Sequence, residues 1–236
     1  MIIDDLYPYF FIVVAVILSI ASGKIDLPGG ISGGLITLLL FASISYLGIV
    51  LIGVFFVAGT AASLYKLKTK RQWGISEGKS GKRSWKNVLS NSGVAGMIAL
   101  IDVWLPNLIL CDSVLIATCF AAALSDTLSS EMGNVSGKRY FNILSWKPDL
   151  RGKDGVVSVE GTAWGVGGSL VIALVYAAFQ SLSPWVWIIA AAGIAGNVID
   201  SILGATVQKG GILDNHGVNF VSTTLATGIA AVFTFW

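Results

Sequence analysis

The chain has 236 residues, 55% hydrophobic and 12% charged, with 15 Lys and Arg against 13 Asp and Glu. Soluble domains carry about 25% charged residues, so this composition and a mean hydropathy of +0.80 exclude an ordinary soluble enzyme. An all-α, polytopic transmembrane bundle forming one domain is expected, with no nucleic acid among its partners.

The first apolar stretch, "YFFIVVAVILSI", follows Asp4 and Asp5 with neither a basic leader nor a small-residue cleavage site, and predicts a retained helix over 7–22 rather than a signal peptide. Further helices are predicted over 31–46, 48–66, 88–105, 110–132, 161–181, 184–207 and 217–236. A single helix through 31–64 would reach about 50 Å, well beyond a hydrocarbon core of about 30 Å. A hairpin near Ser45–Gly48 is therefore preferred, giving eight helices rather than seven.

Charge supports that choice. Basic residues crowd the loops near 66–87 and 133–160, with Lys24 and Lys209 besides. With eight helices all 15 Lys and Arg fall on one side, which the positive-inside rule makes cytoplasmic. Trp104, Trp185, Trp187 and Trp236 then lie near the outer interface, as an aromatic belt requires. Seven helices would leave Lys24 alone outside. Cys111 and Cys119 lack metal-ligand spacing and read as small hydrophobes.

Ionisable groups in a bilayer mark function by default. Asp126 and Glu131 near the end of the fifth helix, Glu160 at the start of the sixth and Asp200 near the end of the seventh all fall in the cytoplasmic half. In "SDTLSSEMGNVSGK" (Ser125–Lys138), Asp126, Ser130 and Gly133 share one helical face. Glu131 lies about 140° from Asp126 and joins that face only through a bend or helix end. Interfacial pairing with nearby lysines explains neither the clustered Ser, Gly and Asn nor the depth of Asp126 and Asp200.

Carboxylates from separate helices beside lysines and glycine-rich backbone suit phosphates with Mg²⁺, a hard ion held by one or two protein carboxylates plus substrate oxygens. "GISEGKS" (Gly74–Ser80) is one residue short of a P-loop and has no preceding strand, so it is rejected as one. In "GKRSWKNVLSNSG" (Gly81–Gly93), Lys82 and Arg83 lead into a helix where Asn87 and Asn91 are i, i+4 neighbours. They suit a nucleotide or head group, or polar contact between helices. "KDGVVSVEGTAWG" (Lys153–Gly165) enters a helix with Ser158, Glu160 and Thr162 near its positive end. Gly161–Gly165 and Gly193/Gly196 suit close helix packing as well. His216, the only histidine, reads as a loop residue.

The order "SDTLSSEMG…GK", "GKDGVVSVEGT", "GNVIDSILGA", preceded by the basic, asparagine-containing segment, resembles the integral-membrane family that contains phytyl-phosphate kinase. More distantly it is similar to the CTP-dependent dolichol and phytol kinases. The likeness runs from about Gly81 to Asn219. It implies CTP-dependent phosphorylation of a prenyl monophosphate to the diphosphate with Mg²⁺, and points to Asp126, Ser130, Glu131, Gly133, Gly137, Lys138, Ser158, Glu160, Gly161, Asn197 and Asp200. On that reading Asp126, Glu131 and Asp200 are the expected metal ligands, with Glu160 a further candidate. Lys138, Lys82 and Arg83 are expected to neutralise phosphates, and the prenyl tail to lie between helices. A prenol kinase, a lipid cytidylyltransferase and a secondary transporter are the alternatives.

Overall fold

A computed structural model describes residues 6–75, 82–106, 108–109 and 111–234. The chain is an all-α polytopic membrane bundle, and each helix begins where local chemistry permits. Helix α1 (Tyr7–Ala21) carries Pro8 in its first turn. In α2 (Leu27–Ile44), Asp26 accepts from the Gly29 N–H at 2.7 Å and Pro28 sits in the first turn, so the helix starts four residues before the expected 31. Ser45, at φ 57°, separates α2 from α3 (Tyr46–Leu64), which confirms the hairpin.

After the short α4 (Leu67–Gln72), Ser84 and Asn87 form a reciprocal capping box at the start of α5 (Trp85–Trp104). Next come α6 (Asp112–Ser136) and a small antiparallel pair, β1 (Phe141–Asn142) with β2 (Val156–Val157), in which Phe141 faces Val157. Ser158 accepts from the Gly161 N–H to open α7 (Val159–Gln180), and Pro184 lies in the first turn of α8 (Pro184–Leu203). A π-helical turn over Gly204–Gln208 extends α8 before α9 (Asn215–Thr234), where Asp214 accepts from the Gly217 N–H.

Six of the described helices, all but α1, α4 and α5, are long and apolar enough to cross a membrane. Helix α1 is apolar but only 15 residues long. Helix α5 has 20 residues, but buried Ser90, Asn91 and Ser92 lower its hydropathy. The short α4 and the β-pair lie within the two segments expected as loops.

Helix α6 is the axis of the bundle. Ile116, Ala117, Cys119, Phe120, Ala121, Ala123 and Leu124 are each no more than 1% exposed, enclosed by α3, α5, α7, α8 and α9. Apolar attraction between helices is weak in lipid, so small residues that permit close approach carry much of the association. A Cβ on Gly168 would fall 2.9 Å from the Leu124 carbonyl oxygen, one on Gly193 2.7 Å from Ala121 Cβ, and one on Gly133 2.8 Å from Gly161 Cα. The seam therefore runs along α6 to its polar end, and the close-packing reading of Gly161, Gly165, Gly193 and Gly196 is the observed one.

A methyl group at Gly133 has backbone in its way, whereas one at Gly53 meets nothing within 4 Å. Gly133→Ala is expected to lose about 1–3 kcal/mol through overpacking, and Gly53→Ala to be neutral or slightly stabilising. Thermal unfolding of both variants in detergent checks the difference.

Candidate functional site

The ends of α3, α6 and α8 and the starts of α5, α7 and α9 meet around a polar cavity of about 630 Å³. Its lining includes Ser63, Asn87, Gly133, Ser158, Asp200 and Asn215, so these six helix ends lie on one face of the bundle. The loop after α1 belongs to that face as well. The Arg83 N–H donates to the Lys24 carbonyl, and the Asp26 N–H to the Arg83 carbonyl, each at 3.0 Å. Three helices thus begin at the cavity, and the positive ends of their dipoles favour negative charge there.

Helix α6 contributes Asp126, Ser130, Glu131 and Gly133 to the lining, and α5 with its leader contributes Lys82, Arg83, Asn87 and Asn91. Ser158 comes from the start of α7, and Asn197 and Asp200 from α8. Glu131 borders the cavity although α6 continues past it to Ser136, so the helix end that the sequence called for does not bring it there.

Four expected site residues lie elsewhere. Lys138 is exposed, and its backbone N–H donates to Glu160 Oε2 at 3.3 Å. Glu160 borders a separate recess with Ser136, Ala163 and Trp164. Gly137 ends α6 against Tyr140, whose hydroxyl donates to the Gly133 and Gly137 carbonyls at 3.0 Å. Gly161 packs on α6: a Cβ there would fall 2.9 Å from the Ser129 carbonyl oxygen.

The carboxylates are held in different ways. Asp200 Oδ2 accepts from the Ser222 hydroxyl at 2.8 Å. With its amide nitrogen turned toward Asp200, Asn219 donates to Oδ2 at 3.2 Å and to the Asn215 carbonyl at 3.0 Å. Glu131 is engaged by a residue that sequence reasoning placed in a basic loop. Lys70, 1% exposed, donates to Glu131 Oε2 at 2.5 Å and to the Ala62 carbonyl at 2.8 Å. Among the described residues no three His, Cys, Asp or Glu side chains converge on a metal position. The expected set of Asp126, Glu131 and Asp200 is therefore not assembled around one point. Asp126 and Asp200 both border the cavity with Lys82, Arg83 and Lys153, and two hard oxygen donors there fit Mg²⁺, which draws its other ligands from substrate and water.

The motif "GKDG" forms a wall. Gly152 and Gly155, at φ 77° and 70°, bracket Lys153 and Asp154, and all four line the cavity. A Cβ on Gly155 would fall within 2.2 Å of Ala205 Cβ, and Asp154 accepts from Gln208 at 2.8 Å, which fastens this wall to the π-helical turn. Arg151 lies over the Trp73 ring at 4.3 Å and the Tyr140 ring at 5.0 Å, joining the segment after α4 to the strand pair. Burial pushes the Tyr140 phenol above its usual pKa, against an opposing pull from Arg151. The Leu150 N–H, then Lys153, hold Asp149 below the usual carboxylate range.

Fold and site together define a polytopic helical membrane protein with a polar cavity at one end of the bundle. The chain belongs to the integral membrane protein family DUF92, whose model matches residues 10–227. An uncharacterized membrane protein of Methanocaldococcus jannaschii is 34% identical over 84% of this chain and 79% of its own length. Protein PGR of Arabidopsis thaliana is 28% identical over 96% of both chains. The chloroplastic protein VTE6 of Arabidopsis thaliana is 29% identical over 78% of this chain and 57% of its own length. These matches bear out the resemblance that the motif order carried, to the integral-membrane family that contains phytyl-phosphate kinase. No solved structure matches the chain.

The Lys70–Glu131 pair gives a stability prediction. Removing one partner of a buried pair leaves an uncompensated charge and costs about 3–5 kcal/mol. Lys70→Met should therefore lower the unfolding temperature markedly, and Lys70→Met/Glu131→Gln should recover most of the loss. Equal instability of the single and double variants in detergent would show that the pair does not act as a unit.

Proposed function

We propose that this protein transfers the γ-phosphoryl group of CTP to a prenyl monophosphate of the phytyl or geranylgeranyl type. The observation that carries the reading is the mixed lining of one cavity. Asp126 on α6 and Asp200 on α8 border the same space as Lys82, Arg83 and Lys153, where α5, α7 and α9 begin. The kinship with VTE6 supports the acceptor class. The basic loops support a cytoplasmic site by the positive-inside rule.

An oxygen of the acceptor phosphate attacks the γ-phosphorus in line. The bond from that phosphorus to the β,γ-bridging oxygen breaks, giving a prenyl diphosphate and CDP. The acceptor is already an anion, so no strong base is required, and positioning with charge neutralisation supplies most of the catalysis. Lys82, Arg83 and Lys153 draw in and orient phosphate oxygens. Arg83 crosses α3 where Gly59 leaves room for its guanidinium, with the Phe55 ring 4.8 Å away. Asp126 and Asp200 would hold Mg²⁺, which when bound supplies neutralisation of charge on the phosphates. Glu131, occupied by Lys70, acts as a structural anchor in this scheme. The prenyl tail stays in the apolar phase, gaining about 0.8 kcal/mol per buried CH₂.

The purified protein incubated with γ-labelled CTP, Mg²⁺ and a panel of prenyl alcohols and monophosphates should label a prenyl monophosphate. Absence of transfer to every acceptor would overturn the reading. Asp126→Asn, nearly isosteric, should lower turnover by about 10²-fold or more while leaving the protein extractable and folded. Unchanged turnover would remove Asp126 from the metal site.

The two lysines separate the cavity from its flank. Lys82→Ala should lower kcat/KM by about 10²-fold, the scale of a lost electrostatic contact to the transition state. Lys138→Ala should change it by less than about fivefold, because an exposed charge contact is worth about 0–1 kcal/mol. The reverse order would move the phosphate site to the Lys138–Glu160 side.

A further inference from the structure

His216 is the only histidine of the chain and lies in the first turn of α9, on the cavity lining. Among the described residues three buried side-chain atoms have no hydrogen-bond partner: Thr60 Oγ1, Ser125 Oγ and His216 Nδ1. Thr60 and Ser125 are not on the cavity wall, whereas His216 is. A buried polar atom left unpaired is costly and calls for an explanation. The fold itself makes no use of this nitrogen. Asn219, three residues on along the same helical face, donates to Asp200 and to the Asn215 carbonyl instead.

The two orientations of an imidazole ring about its last side-chain bond are nearly equal in shape. A half-turn would exchange Nδ1 with a ring carbon, which needs no partner on the packed side.

Resting on the phosphate-transfer reading above, we propose that His216 is a ligand-contact residue, its Nδ1–H donating to a phosphate oxygen in the cavity. Phosphate is the favoured chemistry for two reasons. Lys82, Arg83 and Lys153 share the lining, and an imidazole N–H can donate whether the ring is neutral or charged. The position beside the Asp200 clamp puts the contact next to one of the two carboxylates assigned to Mg²⁺.

A lone histidine allows a direct test on the intact protein. The full chain, labelled with ¹⁵N only in histidine and reconstituted in nanodiscs, contains one imidazole. It is titrated with Mg·CTP, with geranylgeranyl monophosphate and with cytidine, while equilibrium dialysis of each compound measures binding separately. The expected result is a saturable shift of the Nδ1 resonance that follows the dialysis curve for a phosphate-bearing compound and is absent with cytidine. A response to CTP alone assigns the contact to the donor phosphates, and a response to the prenyl phosphate alone assigns it to the acceptor. Asn at this position carries an amide nitrogen near the place of Nδ1, whereas Gln places its amide near Nε2. His216→Asn should therefore retain affinity within about threefold and His216→Gln should lose about tenfold or more. Binding in dialysis with an unmoved histidine signal would overturn the role of His216 and leave the nucleotide reading standing. An equal response to cytidine, or equal loss in the two variants, would overturn the phosphate contact through Nδ1. Absence of binding for both phosphate compounds would overturn the phosphate-transfer reading, and this proposal with it.

Discussion

Close backbone approach along α6 is the constraint on which the cavity depends. In a bilayer a central helix gains little from apolar side chains alone, because lipid tails satisfy them equally well. Dense contact with α7 and α8 through residues without bulk replaces that driving force. Gly165 and Gly168 on α7 sit over the Ser125 and Leu124 carbonyl oxygens, and Gly196 on α8 meets Ala122. The same seam brings Gly133 onto Gly161 at the mouth of the cavity. Ser158, which caps α7 and lines the cavity, is thus positioned by a glycine-on-glycine crossing three residues away.

Polar groups placed at the end of such a helix must be satisfied within the protein, and each carboxylate solves this differently. Glu131 is neutralised by Lys70, which also anchors α4 to the end of α3 through the Ala62 carbonyl. Asp200 accepts from two neutral donors, Ser222 and Asn219, which fix its orientation. A carboxylate paired with a buried ammonium is costly to separate from it. The buried pair marks Glu131 as a structural acid, and its place on the cavity lining is what leaves Asp200 as a proposed Mg²⁺ ligand.

Hydropathy and charge were enough to read the bundle, because the long apolar runs and the sidedness of Lys and Arg are linear properties of the chain. Even the break at Ser45 followed from helix length against bilayer thickness. The earlier start of α2 was legible too in retrospect, since Asp26 and Pro28 are ordinary start signals. The candidate site was legible for α6 and α8, where Asp126, Ser130, Asn197 and Asp200 stand out against apolar neighbours. It was not legible for Lys70, which looks like one more cation of a basic run until the fold turns it inward. Lys138 and Glu160 are close in sequence to cavity residues but lie on the flank, because α6 ends at Ser136 and the chain turns away at Gly137. A motif in one dimension cannot distinguish the two sides of a helix end. His216 offered no signal beyond its rarity.

Residues 125–133 of α6 meet the demands of packing on α7 and of lining the cavity together, and helical periodicity separates the two only in part. Ser125 and Ser129 present carbonyl oxygens to Gly165 and Gly161, so backbone on that side is used for packing. Asp126 and Ser130, one position further round, line the cavity with their side chains. A helix exposes successive residues about 100° apart, so one turn can offer α7 a smooth seam while offering the cavity a carboxylate and a hydroxyl. Bulk added on the packing side would push α7 outward and carry Ser158 with it. Charge removed on the other side would alter the chemistry and leave the seam untouched. The polar end of this hydrophobic helix therefore follows from two neighbours with opposite requirements, met apart at Ser125 and Asp126 and jointly at Ser129 and Gly133, which pack on α7 and also border the cavity.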